Sequence, residues 1–396
     1  MSIEHSICVI KFSPIYRDAR VLRQIRHLSP HYRLTVIGYG HPHLDWQNHL
    51  SVKWVSVTEE GRPFTKPLRL LLLLLGKLQP TLYQRWYWQK SQHLLALNEA
   101  MASGSHAFLA NDWEALPVAA EAAKKTGAPL VFDAHEYAPL EFEDTWYWRF
   151  FHAPAITYFL QRYAPLIDAS TTVAPAIAAR YQQEFKLEPI VVLNAPDLVP
   201  IPDHTLDFDR IRLIHHGVAN RNRHLESMIQ TIALCDRRFS LHFMLVENDP
   251  AYVNSLERLA DQLAPNRVTF HPPVAPEDIV RRIAEYDMGF FLLDFQKNYN
   301  HQVALPNKFF EFMAAGLAVC IGPSPLMAEI TQSYGLGCVA PTFEPKDVAA
   351  MLNSFNAEQL LVMRRAARQA AKQFNATHEM GKLLSLYNQL LGERTA

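Results

Sequence analysis

Short apolar runs alternate along this chain with segments whose apolar positions recur every three to four residues. The first kind reads as strand, the second as amphipathic helix. "SICVIKF" (Ser6–Phe12) precedes the helical "DARVLRQIRHL" (Asp18–Leu28) and the strand-like "RLTVIGY" (Arg33–Tyr39). "HAFLAND", helical "EALPVAAEAAKK", "PLVFDAHE", "ASTTVAP", helical "AIAARYQQEF" and "PIVVLN" carry the series to Asn194. Alternation of this kind builds a parallel sheet with helices on both faces. "NAPDLVPIPDHTLDFD" (Asn194–Asp209) interrupts it with proline and aspartate and reads as a linker. The pattern then restarts with "IRLIHHG" (Ile211–Gly217) and continues through "FSLHFMLV", "RVTFH", "MGFFLLD", "LAVCIG" and "GCVAP" to a helical end from about Glu358 to Leu391. The expected fold class is α/β, with two doubly wound, Rossmann-like parallel-sheet domains. They are expected over 1–195 and 210–372, joined by a linker at 196–209, with a last helix over 373–396 packing back toward the N-terminal domain. In such sheets ligands bind beyond the C-terminal ends of the strands, so the expected site is a cleft between two facing sheets.

One segment combines strong apolar character with charge. In "LPNKFFEFMAAGLAVCIGP" (Leu305–Pro323), helical spacing puts Asn307, Lys308, Glu311, Ala314 and Ala315 on one side and Phe309, Phe310, Phe312 and Met313 on the other. Pro306 suits the first helical position and Gly316 the C-terminal cap. One reading makes Lys308 and Glu311 a surface i,i+3 pair; the other gives them a bound partner.

The chain has 396 residues, 19% of them charged, and a net charge of −1, so nothing global favours nucleic acid. Cys8, Cys235, Cys320 and Cys338 are scattered and read as buried and reduced, which fits a cytoplasmic protein. The N-terminus lacks the pattern of a signal peptide. The region 61–98 departs from the average: Arg62, Lys66, Arg69, Lys77, Arg85 and Lys90 occur there with no acid, around "LRLLLLLLGKL". That run is too short to span a membrane. It reads either as a core helix or as a peripheral contact with an anionic membrane or a lipid-linked acceptor.

The candidate chemistry lies near strand ends. Gly217 closes "IRLIHHG", and Arg221 and Arg223 follow as a helix begins. Helix N-termini attract anions, and arginines there suit a diphosphate, the alternative being exposed loop arginines. Lys308 opens another helix and supplies a third positive charge; a carboxylate at Glu311 can accept two hydrogen bonds from a ribose diol. These fit a nucleoside diphosphate. Asp207 and Asp209 form a D-x-D, but in the linker they read as a turn. His215 and His216 lack a second ligand pair, so no metal is assigned. There is no G-x-S-x-G, P-loop, H-E-x-x-H or complete G-x-G-x-x-G.

At these residues the chain resembles retaining glycosyltransferases of the GT-B fold, especially family 4. "PNKFFEFMAAG" (Pro306–Gly316) is similar to the family's P-x-K-x-x-E-x-M-A-x-G. The resemblance implies that Glu311 binds the nucleotide ribose and that Arg223, the better match to the second member of a basic pair, binds the pyrophosphate with Lys308. "PLVFDAHEY" is similar to the segment ending in a histidine near the donor sugar, here His135; the alternative is a histidine bonded to a local carbonyl. "ANDW" and "RDARVLRQIRHL" resemble other family segments. The family's second glutamate is replaced by Val303, which shifts donor-sugar recognition to backbone groups around Val303, Ala304 and Leu305. Its glycine pair is replaced by "FSPIYRD", leaving Arg17, Asp18, Asp112 and Glu136 as acceptor-side candidates. The function expected is transfer of a sugar from a nucleotide-diphosphate-sugar to a glycan or lipid-linked glycan. Retention is expected, with no cofactor and no obligatory metal; for inversion His135, Glu136 or Asp112 would serve as general base. The alternatives are a GT-B nucleotide-sugar epimerase and a non-catalytic nucleotide-sugar-binding subunit.

Overall fold

A computed structural model describes residues 4–40, 50–58, 66–202, 204–294 and 298–392. The chain divides into two compact units. The first takes in the chain up to Leu193, the short piece Asn298–Asn300 and the chain from Glu379 onward; the second holds Asn194–Lys297 and His301–His378.

The first unit is built on a parallel sheet of β1 (Ser6–Pro14), β2 (Arg33–Tyr39), β3 (Val52–Ser56), β4 (Ala107–Asn111), β5 (Leu130–Ala134), β6 (Ala169–Thr172) and β7 (Ile190–Val191). Its spatial order is β3-β2-β1-β4-β5-β6-β7. The second unit carries β8 (Ile211–Val218), β9 (Phe239–Val246), β10 (Val268–His271), β11 (Met288–Phe291), β12 (Ala318–Ile321) and β13 (Gly337–Val339), in the order β10-β9-β8-β11-β12-β13. The central strands, such as β4, β5 and β12, are buried at every residue. Helices on both faces demand that, and it explains the unbroken apolar runs.

In each sheet the strand order reverses once, between β1 and β4 and between β8 and β11. Beyond the C-terminal ends of those strands the flanking loops part, leaving the crevice where ligands bind in this fold class. Lys11 and Asp112 sit at the first crevice, Gly217 and Lys308 at the second. The C-terminal helix Ala376–Gly392 lends Met380, Leu383, Leu386, Tyr387 and Leu391 to the core under β1 and β2 of the first unit.

Candidate functional site

In the second unit, the helix Asn307–Ala314 is buried at every residue after Asn307. Phe309, Phe310, Phe312 and Met313 are fully enclosed, and Lys308 and Glu311 are only 4% and 5% exposed. The surface-pair reading is therefore overturned: the polar side of this helix is covered by β8 and the loop that follows it. Close packing has a visible requirement at Gly289 of β11, where a Cβ would fall 2.1 Å from the Phe312 ring. Pro306 takes the N-cap, one residue before the first helical position, and Gly316 follows the C-cap at φ +70°.

Lys308 Nζ lies 3.3 Å from His215 Nε2 and 4.6 Å from the centre of the Phe291 ring. His215 Nδ1 is in turn 2.9 Å from the Phe290 carbonyl. Among the described residues no carboxylate forms a salt bridge with Lys308. Burial, with Arg223 nearby, holds its ammonium well below the usual lysine range, against the pull of Glu311. Burial and Lys308 likewise push His216 down to about 3. The 3.4 Å approach of His216 Nε2 to Glu311 Oε2 is thus not an ion pair near neutral pH. Gly217 closes this pocket: its φ of +122° excludes most side chains, and a Cβ would stand 3.1 Å from Lys308 Nζ.

Arg221 and Arg223 occupy a 3-10 turn before the helix Leu225–Leu234, rather than its first turn. The intervening His224 takes a left-handed conformation, φ 48°. Arg221 turns outward: its guanidinium bonds Asp249 at 2.9 and 3.0 Å and lies over Tyr252. Arg223 lies close enough for its charge to lower both Lys308 and His215, so the two arginines divide, with one at the crevice and one at the surface. Asn307 begins the same helix as Lys308. Val303 and Leu305 are buried apolar side chains, and the Ala304 amide already donates to the His301 carbonyl at 3.4 Å. Asp207 and Asp209 form a turn, the Asp209 amide donating to Asp207 Oδ1 at 3.0 Å.

In the first unit, His135 follows β5 directly. Its Nε2 is 3.1 Å from both Asp133 Oδ2 and Asn111 Oδ1, and its Nδ1 is 3.4 Å from Asp112 Oδ2. The ring is thus set by carboxylates and an amide, not by a local carbonyl. Asp133 is the anchor. Fully buried, it receives Arg20 Nε and Nη2 at 2.7 and 2.6 Å, Gln24 Nε2 at 2.6 Å and Thr171 Oγ1 at 2.6 Å. Burial opposes its charge, but the Arg20 guanidinium prevails and holds its carboxyl well below the usual range.

Asp112 begins the helix Asp112–Thr126 with a left-handed backbone, φ 65°, costly for a residue with a Cβ. Its side chain pairs with Lys11 and accepts the His135 amide at 3.0 Å. Against the effect of burial, His135 and Lys11 lower its pKa. Asp18 caps the helix Ala19–Leu28 through the Val21 amide and stands 3.9 Å from Lys11 Nζ, so its part is largely structural. The Arg17 side chain lies outside the described residues. Glu136 is exposed, but Glu141 lies within its electrostatic reach and that of Asp112. The acidic group that sequence spacing hides is therefore Asp112, Glu136 and Glu141. Burial first, then these neighbours, push the Glu141 carboxyl up to about 9.

Sequence reasoning missed Lys11, Arg20, Asp133 and Glu141. A charged residue inside the apolar run "LVFDA" was a readable signal for Asp133, and Arg20 and Gln24 at i,i+4 were its complement. Nothing local signalled Lys11 or Glu141. Among the described residues of 61–98 lie the helices Lys66–Gly76 and Leu82–Trp88 and the start of the helix Ser91–Ala102. Leu72, Leu73, Tyr83 and Trp86 join the core, whereas Leu68, Leu71, Leu74 and Leu75 are exposed. Arg62 and the Lys66 side chain lie outside the described residues.

No protein-family model matches the chain, and neither does any curated protein sequence. Solved structures do match in shape. The Anabaena protein HepE, solved with UDP and glucose, superposes with a TM-score of 0.71 at 16% identity, covering 98% of this chain and 100% of that one. Sucrose-phosphate synthase of Thermosynechococcus elongatus gives 0.71 at 12% identity over 98% of this chain and 100% of its own. An E. coli trehalose-6-phosphate protein bound with UDP-2-fluoro glucose gives 0.63 at 11% identity, over 96% and 98%. With two parallel-sheet α/β units of this topology, the chain has the GT-B fold of these glycosyltransferases.

Proposed function

We propose that this protein is a nucleotide-sugar-dependent glycosyltransferase whose second unit holds the donor. The observation that carries the reading is Lys308, a buried amine at the β8–β11 crevice with no carboxylate salt bridge among the described residues, beside Gly217 and Arg223 and one turn before Glu311. A buried cation in such a place is costly until an anion reaches it. A diphosphate supplies that anion, and Glu311 accepts from the ribose hydroxyls. In transfer, the bond from the anomeric carbon to the β-phosphate oxygen breaks and a bond to an acceptor oxygen forms. Lys308 and Arg223 stabilise the charge that develops on the leaving diphosphate, with no metal required. The acceptor proton passes to the leaving phosphate on the same face, giving retention, and the donor sugar is a hexose, in keeping with the glucose and UDP-glucose bound by the structural neighbours. His135 is the residue assigned to the donor sugar, and Asp112, which holds its ring, is assigned to the acceptor side.

The acceptor is a glycan or lipid-linked glycan, as in polysaccharide assembly, and the protein works peripherally at the cytoplasmic face of a membrane. No helix among the described residues is long and apolar enough to cross one. Calorimetry with UDP tests the donor site first; no measurable binding refutes the reading. Incubation with UDP-glucose alone then separates transferase from epimerase, since an epimer, rather than slow hydrolysis, would overturn transfer. Proton NMR of the new linkage reports retention or inversion.

A further inference from the structure

The first unit contains a cavity of about 350 Å³ beside the His135 cluster, with which it shares Asn111 and Asp112. Pockets for small ligands run from roughly 300 to 1,000 Å³, so this one suits a single sugar residue. Its charges do not cancel. Lys11 pairs with Asp112 and Lys90 with Glu114, whereas Arg69, which also lines the cavity, forms no salt bridge with a carboxylate among the described residues. Arg69 shares the inward side of the helix Lys66–Gly76 with the buried Leu72 and Leu73. Its guanidinium lies 5.6 Å from the centre of the Trp86 ring, and Trp86, only 5% exposed, stacks on Trp113 with the planes 12° apart. A ring held in this way attracts the cation without taking up its N–H donors.

The positive charge reaches the rest of the cavity. Burial first, then Arg69 and Lys90, lower the pKa of His152, which also lines it. The remaining carboxyl, Glu141, does not offset Arg69: burial first, then Glu136 and Asp112, push it up to about 9, so near neutral pH it keeps its proton. Two lining residues carry buried polar atoms with no hydrogen-bond partner among the described residues, Ser13 Oγ and Asn111 Nδ2. Asn111 is fully buried, and its Oδ1 already stands 3.1 Å from His135 Nε2. Buried donors of this kind are costly until something accepts from them.

We infer that this cavity binds a single hexuronate residue, with its carboxylate on the Arg69 guanidinium and its hydroxyls on Ser13 and Asn111. A planar carboxylate matches the paired N–H groups of a guanidinium. Its one negative charge equals the one cation left over, whereas a phosphate monoester would bring about −1.5 to −2. A protonated Glu141 adds a donor for a sugar hydroxyl. Beside Asp112, the bound hexuronate is the end residue of the acceptor glycan; this role rests on the glycosyltransferase reading, whereas the binding does not.

Tryptophan fluorescence tests this with methyl hexuronides of gluco and galacto configuration, the matching methyl hexosides, the uncharged hexuronamides and the hexoside 6-phosphates. At least one hexuronide is expected to bind roughly ten-fold tighter than its hexoside and its hexuronamide, the loss expected when a charge-assisted contact goes. It should also bind tighter than its 6-phosphate. Arg69→Gln should bring the hexuronide to the affinity of the hexoside, leave the hexoside unaffected and leave the melting temperature in place. Arg69→Lys should keep part of the preference. Equal binding of hexuronide and hexoside by the wild type, tighter binding of the 6-phosphate, or an Arg69→Gln loss equally large for the hexoside overturns the inference. UDP is titrated in parallel. UDP binding without a preference for the hexuronide sinks this inference alone, whereas that preference without UDP binding upholds the acidic-sugar site and sinks the transferase reading.

Discussion

At the scale of single residues, the donor role proposed for Lys308 sets stability against function. Its folded pKa lies well below the ordinary 10.5, because burial and the nearby Arg223 disfavour the ammonium, so the free protein gives up this proton at a lower pH than an ordinary lysine does. A diphosphate beside it restores the charged form. UDP binding should therefore take up protons, and affinity should rise as pH falls toward neutrality from the alkaline side. Calorimetry in two buffers of different ionisation enthalpy, repeated from neutral to alkaline pH, reads the uptake directly; a proton count of zero throughout that range would show that Lys308 is not at the phosphates. Lys308→Met keeps the shape and removes the amine. It should raise the stability of the apo protein by about 1 kcal/mol and weaken UDP by roughly 1.5–3 kcal/mol. A variant that loses both stability and affinity would make the lysine structural. Glu311 and Lys308 were legible in the sequence because motif and periodicity coincide there. That both are buried was not, since helical spacing tells which residues share a side but not what covers that side.

At the scale of elements, the strand–helix alternation was legible because parallel strands buried on both faces are uninterrupted apolar runs. The tie between helix Ala19–Leu28 and strands β5 and β6 was not, because Arg20 and Asp133 are 113 residues apart in the chain. This tie positions His135, whose Nε2 shares Asp133 with Arg20. Asp133→Asn leaves the Arg20 charge buried without its counterion, which should cost roughly 3–5 kcal/mol. The pH dependence has a definite sign. The folded pKa of Asp133 is depressed, so its contribution is complete above the usual 3.8 and is lost as pH falls below that toward the depressed value. Urea denaturation of the wild type should show this acid limb, and the variant should lack it. Persistence of the full limb in Asp133→Asn would assign it to other carboxylates.

At the scale of the whole molecule, sequence position and structural membership part company. The helix Ala376–Gly392 follows the second sheet in the chain, yet Leu383 and Tyr387 are enclosed in the core under β1 and β2. Its own pattern names no partner, because any apolar face of this length would satisfy the same spacing. Each unit has a separate core, so a single two-state transition is not expected. Saturating UDP, at about 100 times its dissociation constant, should stabilise the unit that holds Lys308 by about 2.7 kcal/mol. Leu383→Ala opens a cavity in the other core and should cost that unit roughly 2–5 kcal/mol. Scanning calorimetry of wild type and variant, each with and without UDP, resolves the two effects. The transition that UDP moves should stay in place in Leu383→Ala, and the transition that UDP leaves alone should fall. A drop in the UDP-responsive transition would mean that the helix's burial energy is held by the unit that carries Lys308, and the division of the chain into these two cores would be wrong.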